Sequence, residues 1–122
     1  MTDKAILIID DCKLTLTIAR DILEDAGYEV IVASSGIEAN KYIYSPSPPA
    51  VILMDVEMPL LRGDRKVRLL KASPSSQAIP VVLISHKSEG ELQSLCDESG
   101  ADCYLPKPLQ KDSLLALVRG LA

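Results

Sequence analysis

The chain has 122 residues, 48% of them apolar and 25% charged, the proportions of one globular domain and not of a disordered, collagenous or coiled-coil chain. Thirteen Lys and Arg against 17 Asp and Glu leave a net charge of −4, which argues against nucleic-acid binding by the field of this domain. Three cysteines with no C-x-x-C pair and a single histidine, His86, exclude a structural zinc set and leave little room for a Ser-His-Asp or Cys-His hydrolase.

In chain order, short apolar runs alternate with stretches of helical spacing. The first run is Ala5 to Ile9. A helix follows, its inward stripe read as Leu14, Ile18, Ile22 and Leu23, with Gly27 as its stop. Val30 to Ala33 is the second run, and Ile37 to Tyr44 a short helix ended by the Ser-Pro-rich loop at 45–49. Ala50 to Met54 is the third run, followed by a helix over 64–71 that Ser73-Pro74 closes. The basic run Arg62, Arg65, Lys66, Arg68 and Lys71, against one acid, Asp64, reads as a solvated helix face, with a docking patch as the second reading. The fourth run, Val81 to Ile84, leads to a helix over 89–98 with Leu92, Leu95 and Cys96 inward and Gly100 as its stop. A weaker run, Cys103 to Leu105, leads to a last helix over 110–121 with Leu114, Leu117, Val118 and Leu121 on one face.

Short, nearly uncharged, β-branched runs are the mark of strands covered on both faces. Their strict alternation with helices implies parallel pairing through right-handed crossovers. The expectation is an α/β fold over residues 1–122: a flavodoxin-like, doubly wound, five-stranded parallel sheet of order 2-1-3-4-5, with five helices on its two faces. The longest apolar stretch, Ala78 to Ile84, is seven residues, against about 20 for a membrane helix. With unpaired cysteines and no signal-peptide pattern, a soluble cytoplasmic protein is expected.

Ligands of such sheets bind outside the carboxyl ends of the strands. Asp10 and Asp11 end the first run, Asp55 the third and Ser85 the fourth, and the fifth runs into Lys107-Pro108. Two carboxylates about 4 Å apart repel by roughly 4 kcal/mol at an effective dielectric of 20, so a cluster of three holds protons or binds a cation. By charge count this is a metal-and-phosphate site, suited to Mg²⁺ with Lys107 as a further positive charge.

The chain resembles, over its whole length, the receiver domain of two-component response regulators. The resemblance rests on Asp10-Asp11, on Asp55-x-x-Met58-Pro59 with Gly63, on Ile79 to Val82, on Ser85, and on Gly100 to Leu105 with Lys107-Pro108. It implies Asp55 as phosphoacceptor from a sensor histidine kinase or phosphotransfer protein. It further implies Mg²⁺ held by Asp11, by Asp10 mainly through water, by Asp55 and by the backbone carbonyl of Glu57. Lys107 and Ser85 would contact phosphoryl oxygens, Ser85 and Tyr104 would form the switch, and Pro108 would follow a cis peptide. The function implied is a signalling switch and not a turnover enzyme, with self-catalysed phosphotransfer and autodephosphorylation only. Its fourth helix, fifth strand and fifth helix would change to regulate a downstream protein or output domain, or to form a homodimer. The chain reads either as a stand-alone receiver or as the N-terminal piece of a longer regulator.

Other readings remain beside this one. A receiver fold that signals by contact without phosphate is one. An aspartyl-phosphate phosphatase is disfavoured by the adjacent Asp10-Asp11 and the lack of a cap domain, and a flavodoxin by acidic residues where a phosphate loop belongs. Alone, Asp10 and Asp11 are helix caps, Ser85 a strand-end hydroxyl, and Cys12, Cys96 and Cys103 packing residues. His86 is expected to narrow access to the site, and Glu57 and Lys87 to pair across its mouth.

Overall fold

Runs too short for helices and free of charge can satisfy their backbone only by pairing with one another. In the computed structural model, which describes residues 4–122, they form β1 (Ile6–Ile9), β2 (Val30–Ala33), β3 (Val51–Asp55), β4 (Val81–Ser85) and β5 (Cys103–Pro106). All neighbours pair in parallel, in the order β2-β1-β3-β4-β5. The crossovers are α1 (Lys13–Asp25), α2 (Gly36–Ile43), α3 (Gly63–Ala72) and α4 (Glu89–Ser99), and α5 (Lys111–Leu121) closes the chain. The expected five-stranded doubly wound α/β fold is the one observed. Among the described residues no helix is long and apolar enough to cross a membrane.

Period-two alternation divides the core. Leu7, Ile9, Ile52, Met54 and Leu83 pack with Ala39, Ile43, Val67, Leu70 and Leu92 of α2, α3 and α4. Ile6, Ile8, Val51, Leu53 and Ile84 pack with Ala19, Leu23, Leu114 and Val118 of α1 and α5. These ten strand side chains are fully buried, each contributing about 1.5–3 kcal/mol of hydrophobic free energy. Ser35 and Ser88 cap α2 and α4 by accepting from the N–H groups of Glu38 and Glu91. Gly100 ends α4 at φ +88°, a left-handed turn that needs glycine.

Two expectations fail. The stripe of α1 facing the sheet is Thr15, Ala19 and Leu23, while Leu14 is 67% exposed and Ile18 and Ile22 are half-buried. Small residues at 15 and 19 let the helix lie closer to the strands than bulky ones would, and this turns Leu14 outward. Nor is the basic run wholly solvated. Lys66 is buried and donates to the Asn40 side-chain oxygen of α2; burial holds its ammonium below the usual lysine range. Lys71 donates to the carbonyls of Gln77 (3.2 Å) and Ile79 (2.9 Å) and to Asp102 Oδ2 (2.9 Å).

That last oxygen also accepts from the Val81 N–H at 2.8 Å, so Asp102 ties the starts of β4 and β5 to the end of α3. Asp102→Ala leaves a buried donor and an ammonium short of one acceptor. The expected cost is about 1–2 kcal/mol, since the carboxylate is partly exposed. A denaturant titration should show a lower midpoint with an unchanged m value.

Candidate functional site

The site forms because four strands stop at one edge of the sheet. The Asp10 N–H continues β1 by donating to the Ala33 carbonyl at 3.1 Å. Asp55, last in β3, stands opposite Ile84, and Ser85, last in β4, opposite Pro106. One residue on, the Lys107 N–H donates to the Ser85 carbonyl at 2.8 Å, and the Lys107–Pro108 peptide is cis.

Asp10, Asp11 and Asp55 present carboxylate oxygens within 4.8 Å of one another, the first and last from buried side chains and Asp11 from the surface. Lys107 Nζ, on a side chain only 6% exposed, lies 2.7 Å from Asp10 Oδ2 and 3.2 Å from Asp55 Oδ1. Asp10 Oδ1 accepts the Cys12 N–H at 2.9 Å, which turns the chain into α1. This is a turn contact and not a helix cap: the N-cap of α1 is Cys12, which makes no side-chain capping bond, so the capping role expected of a lone Asp10 or Asp11 is not found. Asp10 Oδ2 is buried and accepts no hydrogen bond of good geometry, so the nearby ammonium compensates it by charge alone.

Burial, reinforced by the charge of Asp10, pushes the Asp55 carboxyl up from 3.8 to about 6, against the opposing pull of Lys107 and the Glu57 backbone. Burial works to lower the Lys107 ammonium, but its close contact with Asp10 and the charges of Asp10 and Asp55 outweigh that and raise it. Three carboxylates face one ammonium, an imbalance that a cation relieves. The donors are all oxygen, and one buried carboxylate oxygen lacks a donor, so the residues fit a hard divalent ion such as Mg²⁺.

Ser85, at the neighbouring strand end, bonds through its side chain to none of these groups. Its Oγ donates to Glu57 Oε1 at 3.3 Å and accepts the Lys87 N–H at 3.0 Å. The expected Glu57–Lys87 ion pair is therefore absent among the described residues: the Glu57 carboxylate takes the serine hydroxyl, and Lys87 meets the site through its backbone. His86 is exposed and lines a small hollow with Cys12, Leu14 and Lys107. Tyr104 is half-buried against the core beneath α4, with Leu95 and Ala101.

The reading of the sequence did not explain Gly63. A Cβ built there would lie 2.0 Å from the Asp55 carbonyl oxygen and 2.8 Å from its carbon, and the Gly63 N–H donates to the Val56 carbonyl at 2.8 Å. The start of α3 thus presses on the backbone that carries Asp55. The glycine four residues beyond Pro59 was the available signal.

The family model described as the response regulator receiver domain matches residues 6–119. The chain is 27% identical over 116 residues to the polar-differentiation response regulator DivK of Brucella ovis, covering 95% of this chain and 94% of that one. In structure it is similar to the chemotaxis protein CheY4 of Vibrio cholerae, with a TM-score of 0.87 at 26% identity, covering 99% of this chain and 100% of that one. It also shares its fold with the receiver domain of a sensor histidine kinase from Pseudomonas aeruginosa that has a magnesium ion coordinated in its active-site cleft. There the TM-score is 0.86 at 23% identity, with 98% of each chain covered.

Proposed function

Because this chain belongs to the response regulator receiver family of two-component signalling, we propose that it is a switch phosphorylated on Asp55 by a sensor histidine kinase or a phosphotransfer protein. The observation that carries this reading is the Asp55 carboxylate at a strand end, beside Lys107 at 3.2 Å and the oxygens of Asp10 and Asp11. An Asp55 oxygen attacks the phosphorus of a phosphohistidine, the P–N bond breaks, and the imidazole leaves to take up a proton. Such a transfer needs in-line placement and charge neutralisation more than covalent help. Lys107, held by Asp10, keeps a positive charge where the phosphoryl oxygens arrive. Mg²⁺ would be held by Asp11, Asp55 and the backbone carbonyl of Glu57, with Asp10 joining through water, and would supply neutralising charge to the same oxygens.

Phosphorylation adds nearly two negative charges at Asp55. In the unmodified protein the Ser85 hydroxyl belongs to Glu57. Its move to a phosphoryl oxygen exchanges that contact for a stronger charge-assisted one and opens space for Tyr104 to turn further inward. The face of α4, β5 and α5 then differs between the two states, and a downstream protein, an output domain or a second copy reads it. The product is a conformational state, not a released molecule.

Intact mass after incubation with phosphorylated kinase or a small phosphoryl donor tests this. One added phosphoryl group is expected, absent with a chelator and absent in Asp55→Asn. No addition from any donor would overturn the reading in favour of a receiver fold that acts without phosphate.

A further inference from the structure

Five large apolar side chains stand exposed among the described residues, and four of them, Ile37, Tyr44, Leu60 and Leu69, belong to α2, α3 or the loop residues that adjoin them. The two helices touch where Lys66 donates to the Asn40 side-chain oxygen. Ile37 and Tyr44 are the i−3 and i+4 neighbours of Asn40, and Leu69 is the i+3 neighbour of Lys66, so these three border the seam between the helices. Leu60, 94% exposed, stands just before α3 at φ +72°, with the Leu61 N–H donating to the Pro59 carbonyl at 2.8 Å. A leucine adopts that tight turn only under strain.

The charge beside this seam is predominantly positive. Lys41, Arg65 and Arg68 are exposed, and none of them forms an ion pair within the described residues. The neighbouring carboxylates are already engaged: Asp64 with Arg62 at 3.0 Å, and Glu38 with the Ser34 N–H at 2.7 Å. On a chain of net charge −4 this is a local reversal. An anionic bilayer or a nucleic acid would feel the repulsion of the whole domain, whereas a short peptide meets only the patch.

We propose that the α2–α3 face docks an acidic amphipathic helix of a partner protein. Its apolar stripe would cover Ile37, Tyr44, Leu60 and Leu69, and its carboxylates would meet Lys41, Arg65 and Arg68. Such a helix supplies what the seam lacks on both counts, apolar cover and negative charge. The surface is distinct from the α4–β5–α5 face and needs no phosphoryl group.

The test uses the full unphosphorylated chain and a synthetic helical peptide with Leu at i, i+3, i+4 and i+7 and Glu elsewhere. Amide shift changes are expected along α2, α3 and the loop at Leu60. Affinity should fall at least about tenfold in Arg65→Glu/Arg68→Glu and again in Ile37→Ser/Leu69→Ser, with melting temperatures near that of the parent. Any of four results overturns the proposal: no binding, equal binding of the same peptide with Lys for Glu, shifts confined to other faces, or undiminished binding by both variants. Vesicles of phosphatidylglycerol that bind the chain through these same residues would overturn it in favour of a membrane, and concentration-dependent self-association lost in the variants would overturn it in favour of a second copy. Asp55 takes no part, so failure here leaves the phosphorylation reading untouched.

Discussion

Gly63→Ala is expected to cost about 3 kcal/mol or more and to reduce phosphoryl incorporation at Asp55 together with stability. The added methyl would meet backbone and not the free end of a flexible side chain: the Asp55 carbonyl oxygen at 2.0 Å and its carbon at 2.8 Å, with Met54 Cγ at 3.0 Å. Relief requires α3 to withdraw, which stretches the Gly63 N–H bond to Val56, or β3 to shift, which moves the Asp55 carboxylate from Lys107. Gly90→Ala and Gly120→Ala provide the contrast. Each is a helical position whose Cβ meets nothing within 4 Å, so each should be neutral or stabilising by up to about 1 kcal/mol. Denaturant midpoints of the three variants check the argument, and an unchanged midpoint for Gly63→Ala would overturn it.

How much of this was legible before folding depends on the range of the interaction. Strands buried on both faces admit almost nothing but apolar residues, so β1, β3 and β4 announce themselves, and their alternation with helices fixes the parallel order. Residues at strand ends inherit their position from that order. This is why Asp10, Asp55 and Lys107 could be brought to one edge on paper and are found there. Helix phase is less legible. Apolar residues at 14, 16, 18, 19, 22 and 23 of α1 fit two stripes, and the choice falls to how closely Thr15 and Ala19 let the helix approach. Side-chain partners across elements are least legible of all. The basic run of α3 reads as one solvated face, yet Lys66 is enclosed against α2 and Lys71 is tied to the loop before β4 and to Asp102. The preference of Glu57 for the Ser85 hydroxyl over the Lys87 ammonium likewise depends on a loop path that no periodicity encodes.

Asp55→Asn is expected to stabilise the metal-free protein, and the gain should depend on pH in a defined direction. The Asp55 carboxyl is ordinary in the unfolded chain, near 3.8, and lies near 6 in the folded one. Below pH 4 both states hold the proton and the residue costs nothing. Between pH 4 and 6 the unfolded chain ionises first, so folding stability falls as pH rises, and above 6 the loss is complete. A shift of about two units corresponds to at most about 3 kcal/mol, and less where the site relaxes. Asparagine keeps the shape without the charge, so Asp55→Asn should match the parent near pH 4 and exceed it by roughly 1–3 kcal/mol at pH 7.5. Lys107 remains paired with Asp10 in the variant, which limits any loss from the vacated contact. Mg²⁺ should raise the parent's stability by about 2.7 kcal/mol at a hundredfold excess over its dissociation constant, and raise the variant less, because one ligand oxygen has lost its charge. Chemical denaturation at several pH values, with and without Mg²⁺, reads all of this. A gain that is the same at pH 4 and pH 7.5 would show that the carboxylate cluster is not the source of the strain.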